Sequence, residues 1–241
     1  MHPPTLTTLS SHLLAAWVLL VAPWMARRSY RKAQRETAAD PLAKVQLFRK
    51  VVRKQWVLIA IIGGLWIFGG ISGARLGICP PYSWPITLGA CAAFLGFFVW
   101  SALRMRLKAD KIREKIKDRA GAILPGSPEE LRWFAMMSLG GGIAEELLCR
   151  GFLFYYLSLY IPGINKWELV LLTSLLFGLA HLYQGWKGIL ATGAAGVILA
   201  GLYVLTGSLF LPVLVHITGN MRLVVVFWPK TAAAMTPQQS T

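Results

Sequence analysis

Glu145, Glu146 and Arg150 lie in the run Gly140-Gly141-Gly142-Ile143-Ala144-Glu145-Glu146-Leu147-Leu148-Cys149-Arg150, inside a hydrophobic stretch long enough to span a bilayer. Ionisable side chains at that depth are costly, so they pair with one another, line a wet cavity or mark chemistry. On a helix Glu146 and Arg150 are i and i+4 and can form an ion pair, whereas Glu145 points about 100° away and lacks that partner. Adjacent carboxylates in two such environments suit a division of labour: Glu146 held charged by Arg150, Glu145 poised as a general base. Gly141 and Gly142, one turn earlier, clear room beside Glu145 for another helix or a substrate backbone. His181 and His216 fall in two later apolar runs, each in a short polar cluster: Phe177-Gly178-Leu179-Ala180-His181, and His216-Ile217-Thr218-Gly219-Asn220. Glu145, Glu146, Arg150, His181, His216 and Asn220 are thus the polar groups able to reach the membrane midplane, and all six lie in the C-terminal half. Arg222 is nearer a membrane edge and can snorkel.

The elements that must position these residues are hydrophobic helices. Apolar runs at about 13–25, 56–74, 86–103, 128–160, 167–182, 188–205 and 209–227 predict an all-α polytopic transmembrane bundle of about seven spans enclosing a membrane-embedded polar cavity. Gly69 and Gly73, and Thr192, Gly196 and Ala200, have the small-residue spacing of closely packed helices. Pro128 follows Ser127 and precedes Glu129 and Glu130, the pattern of a helix start. Pro212, four residues before His216, is expected to remove a helical hydrogen bond. The aromatic run Phe152, Phe154, Tyr155, Tyr156 and Tyr160 reads as lipid-facing or interfacial.

Of the 241 residues 56% are hydrophobic and 15% charged, outside the range of soluble domains. The net charge of +15 does not point to nucleic acid, because the basic residues crowd into the gaps between apolar runs, at 27–54 and 104–119. The first reads as a cytoplasmic loop attracted to anionic lipid, the second as a helix lying exposed at the cytoplasmic surface. Positive charge follows the first apolar run instead of preceding it, which reads as a retained helix with its N-terminus outside. Seven spans then leave the tail 230–241 in the cytoplasm, in what we expect to be the cell (inner) membrane. Three cysteines, Cys79, Cys91 and Cys149, form no CxxC and no even disulfide framework. Cys149 reads as packing and not as a nucleophile, having no histidine nearby in sequence.

The ordered trio, Glu145-Glu146-Leu147-Leu148-Cys149-Arg150 with Gly151-Phe152, then Phe177 to His181, then His216 to Asn220, resembles the three-motif signature of the CPBP family of intramembrane proteases, the group containing the Ras-converting CAAX prenyl endopeptidases and bacterial Abi proteins. The resemblance covers about 128–225 and is silent on the chain before about 120. It implies an endopeptidase in which Glu145 activates water, Glu146 and Arg150 support it, His181 orients the water, and His216 and Asn220 stabilise the oxyanion. It also raises zinc, with Glu145, His181 and His216 as ligands in a metalloprotease. No HExxH is present, and a metal-free glutamate mechanism is the preferred reading.

The resulting organisation is N-terminal helices and basic segments at 1–120, a protease core at 121–229 and a tail at 230–241. The partner is a membrane-bound or lipidated protein substrate. The alternative is a non-catalytic membrane protein, an immunity factor, scaffold or transporter, using the same cluster to bind a peptide or ion. Transport is disfavoured by the lack of an inverted repeat and of a charge-lined path.

Overall fold

The computed structural model describes residues 5–40, 42–112, 114 and 124–228, and all its regular elements are helical. We number the helices α1 (Thr5–Ala16), α2 (Ala22–Ala39), α3 (Leu42–Gly69), α4 (Trp84–Leu107), α5 (Pro128–Glu146), α6 (Phe154–Tyr160), α7 (Lys166–Ala180), α8 (Gly185–Thr206) and α9 (Phe210–Phe227). Two wide π-helical turns, Trp17–Val21 and Leu147–Leu153, join α1 to α2 and α5 to α6. Pro23 has no N–H to offer the Leu19 carbonyl, which accounts for the first of them. The protein is a multi-pass membrane protein. Among the described residues five segments are long and apolar enough to cross a bilayer: Thr8–Thr37, Leu42–Gly69, Trp84–Leu107, Leu182–Thr206 and Phe210–Phe227.

The other two expected spans differ from that pattern for physical reasons. Helix α7 has only 15 residues, about 22 Å of rise against a hydrocarbon core of roughly 30 Å. The path from α5 through the π turn to α6 is long enough but carries Glu145, Glu146 and Arg150 among its apolar residues. It packs between α3 and α9, and so is shielded from lipid over much of its surface.

Several local expectations need correction. The basic stretch 27–54 is not a loop but the ends of α2 and α3, meeting at Asp40. Gly69 ends α3 and Gly70 takes φ +66°, so Gly69 and Gly73 do not share a helix face. Pro212 loosens nothing, because α9 starts at Phe210 and the proline stands in its first turn, where a helical N–H has no intrahelical partner. The aromatic run is largely internal: Phe152 and Phe154 are buried, Tyr156 bonds His12 Nδ1 through its hydroxyl at 2.7 Å, and only Tyr160 is substantially exposed. Much of the second basic stretch, and the tail 230–241, lie outside the described residues.

The helix start at Ser127 follows the sequence pattern, with the Ser127 hydroxyl accepting from Glu130 N. Its acids reach further than a dipole argument requires. Glu129 pairs with Arg49 at 2.9 Å and Glu130 with Lys44 at 3.4 Å, tying α5 to α3.

Helices α7 and α8 form the tightest pair. A Cβ on Gly178 would lie 2.8 Å from the Ile189 carbonyl and 3.3 Å from Gly193 Cα, and one on Gly196 would meet Ser174 at 3.1 Å. Ala200 on the same face is fully buried. Gly178→Ala is therefore expected to push two backbones apart at a cost of about 1–3 kcal/mol. The check is a lowered thermal midpoint in detergent, with Gly201→Ala, where the added Cβ meets open space, as the neutral control.

Candidate active site

The centre of the bundle holds a fully buried ion pair. Arg150 Nη1 donates to Glu146 Oε1 at 2.9 Å, and neither side chain has any solvent exposure. Arg150 Nη2 donates to the Gly196 carbonyl of α8 at 2.9 Å, and the guanidinium lies 4.8 Å over the Phe177 ring of α7. One arginine thus binds three helices besides its own turn. Its π-helical setting carries no signal in the sequence, but π turns are often found at functional sites.

His216 on α9 joins the same carboxylate: its Nδ1 lies 2.7 Å from Glu146 Oε1. A carboxylate accepts, so the ring donates from Nδ1 and its Nε2 is turned the other way, to 3.8 Å from Glu145 Oε2. His181 is arranged alike by a different partner. It does not lie within a span but caps the C-terminus of α7, with Nδ1 donating to the Phe177 carbonyl at 2.8 Å and Nε2 at 3.9 Å from Glu145 Oε2. Phe177 stands between the two rings, with centroids 4.8 Å from His181 and 6.0 Å from His216. Two Nε2 atoms therefore converge on one oxygen of Glu145, the carboxylate that has no arginine.

Separations of 3.8 and 3.9 Å are too long for direct hydrogen bonds. They suit a shared water oxygen about 2.8 Å from the facing atoms. Tetrahedral zinc with donors at 2.0–2.1 Å would set them about 3.3 Å apart, and among the described residues no group of three or more His, Cys, Asp and Glu side chains is arranged to hold a metal ion. As they stand, Glu145, His181 and His216 do not fit the zinc geometry.

Glu145 is 36% exposed and opens into a cavity of about 880 Å³ between the α1–α2 arm and α3. The walls are mostly apolar, with Leu14, Leu58 and Met137 among them, and Arg53, Lys54, Gln55, Tyr30 and Tyr183 among the polar groups. Five of the six sequence-selected residues thus form one cluster. Asn220, a turn past His216, makes its hydrogen bond elsewhere, with Nδ2 reaching the Ser138 carbonyl at 3.5 Å. Cys149 is buried beside Leu14 and Phe152, in a packing environment.

The glycines before Glu145 are occupied. A Cβ on Gly142 would fall 2.6 Å from the Ile217 side chain of α9, so this glycine admits a helix. Gly140 and Gly141 instead carry the carboxamide of Gln55, from α3. Sequence reasoning missed Gln55 because a lone glutamine following Lys54 at the basic edge of an apolar run has no distinguishing context.

Residues 127–222 match the family model of the type II CAAX prenyl endopeptidase Rce1-like proteins. The match covers 96 of the 241 residues, and over that segment the chain is similar to the Rce1-like family. The match spans the helix start at Ser127, both glutamates, both histidines and Asn220, and stops short of α1–α4. Comparison with curated proteins and with solved structures gave no match. The Rce1-like family implies a protease, here within a multi-helix membrane protein, and a membrane-bound protein is the substrate the family suggests.

Proposed function

We propose that the protein is a CAAX-protease-like intramembrane endopeptidase whose core, about 121–229, hydrolyses a peptide bond with water activated by Glu145. The observation that carries this reading is the convergence of His181 Nε2 and His216 Nε2 on Glu145 Oε2 at 3.9 and 3.8 Å, at the edge of a cavity large enough for a peptide.

In this reading a water molecule held between Glu145 and the imidazoles gives a proton to Glu145 as its oxygen bonds the scissile carbonyl carbon. The carbonyl oxygen becomes an oxyanion, to which His216 donates from Nε2–H as an imidazolium held by the Glu146 carboxylate, while His181 Nε2 accepts from the water. Asn220 supplies a second donor once its amide leaves Ser138. The intermediate collapses, the C–N bond breaks with its electron pair going to nitrogen, and Glu145 returns the proton to the leaving amine, so one water yields one carboxyl and one amino terminus. Donors held in a site shielded from bulk water are worth several kcal/mol at such a charge. Glu146 and Arg150 orient His216. The two-point hold on each ring, Nδ1 bonded and Nε2 aimed, supports roles that need a fixed ring orientation.

The test is reconstitution of the full chain in proteoliposomes with a panel of fluorogenic peptides carrying an S-farnesyl cysteine, or no lipid, near the C-terminus. Internal cleavage with a new amino terminus supports the reading. Saturable binding with no cleavage of any peptide would favour the non-catalytic alternative. On a cleaved peptide, His216→Ala is expected to lower kcat about a hundredfold with KM within a few-fold. Equal losses in kcat and in peptide affinity would assign His216 to binding.

A further inference from the structure

The family match does not reach α3, yet α3 delivers a carboxamide to the glycine face beside Glu145. Gln55 Nε2 donates to the Met137 carbonyl of α5 at 3.1 Å. Its Oε1 is buried without a hydrogen-bond partner and lies 2.7 Å from where a Cβ on Gly140 would stand. A Cβ on Gly141 would lie 3.1 Å from Gln55 Nε2 and 3.7 Å from Glu145 Oε1, so the amide and the carboxylate flank the same bare backbone. Both residues line the cavity of about 880 Å³.

A primary carboxamide has the donors and acceptor of a peptide unit. The bare face that seats the Gln55 amide can therefore seat a substrate backbone, and it ends at the carboxylate that would activate water. A peptide drawn into an apolar cavity needs partners for its backbone groups, since unpaired ones are costly away from water. Gln55 has an unused acceptor with the same need. Its terminal torsion is broad, so Oε1 can swing towards a peptide N–H in the cavity in exchange for the Met137 hydrogen bond.

We propose that Gln55 is a substrate-binding residue of the peptidase: its carboxamide hydrogen-bonds the backbone of an extended polypeptide that lies along Gly140 and Gly141, between α3 and α5, with the scissile bond at Glu145. This rests on the endopeptidase reading for what happens to the peptide, but not for where the peptide lies. It also gives the N-terminal third of the chain a task, that of forming the opposite wall of the substrate groove.

Two measurements on the full chain in proteoliposomes test it. For a fluorogenic peptide that the wild type cleaves, Gln55→Met keeps the bulk and removes the amide. It is expected to raise KM about tenfold or more with kcat changed less, and Gly141→Ala to do the same by filling the groove. A merely structural glutamine would lower the thermal midpoint and the active fraction while leaving KM unmoved, and that result would overturn the proposal. Independently of turnover, a peptide carrying a benzophenone beside the scissile bond is expected to cross-link within 52–58 of α3 in the Glu145→Gln protein. Cross-links confined to α8 and α9 would sink the groove assignment even if the wild type is a protease. Cross-links at α3 without any cleavage would keep the groove and remove the peptidase reading.

Discussion

Glu145→Gln is expected to abolish peptide cleavage, with kcat down about a thousandfold, while the protein folds and binds peptide as the wild type does. The magnitude follows from the loss of a positioned general base, which contributes roughly 10²–10⁴. Retention of the fold follows from the structure: Glu145 makes no direct hydrogen bond to either histidine, is partly exposed to the cavity, and is replaced by a residue of the same shape. Burying a neutral amide where a carboxylate stood is no added burden on the bundle. The measurement is cleavage of a membrane-bound peptide alongside the thermal midpoint. Undiminished turnover would end the role given to Glu145. Lost turnover with an equally lost midpoint would show that the carboxylate is structural.

Arg150→Met is expected to be the most destabilising of the substitutions considered, by about 3–5 kcal/mol. Removing one member of a fully buried pair leaves the other charge uncompensated. Here that charge is Glu146, whose Oε1 takes both Arg150 and His216 while its Oε2 has no partner among the described residues. The loss also frees the Gly196 carbonyl and the face of Phe177, so the contact between α7, α8 and the π turn goes with it. Neutralising both members in Arg150→Met with Glu146→Gln is expected to recover much of the stability, since no unpaired ion remains. It is not expected to recover activity, because His216 loses the carboxylate that aims its Nε2. A double-mutant cycle read by thermal melting and by cleavage checks both statements. If the double variant is no more stable than Arg150→Met alone, the pair is not what holds these helices.

Residue types and their spacing carried much of the site. Glu146 with Arg150 followed from i and i+4 on one helix, and Glu145 as the odd carboxylate followed from the 100° step between neighbours. The π turn that begins at Leu147 did not spoil that reading, since Arg150 still returns to Glu146 at 2.9 Å. His181 and His216 could be selected because histidine in an apolar run needs a reason, although His181 proved to cap a helix instead of lying within it. Asn220 was selected on the same ground, and its amide rests on Ser138.

Composition and hydropathic period alone determined that the chain is an all-helical membrane protein whose candidate site residues lie in the C-terminal half, because transfer of apolar side chains from water to lipid depends on residue type and local repeat. Only the tertiary structure decided which groups meet. It placed His216 on Glu146, aimed both imidazoles at Glu145, and laid Gln55 on Gly140 and Gly141. Contacts between residues 36 or more positions apart depend on how helices cross, and crossing is set by glycine-sized gaps and shared buried charge that no local pattern in the chain spells out.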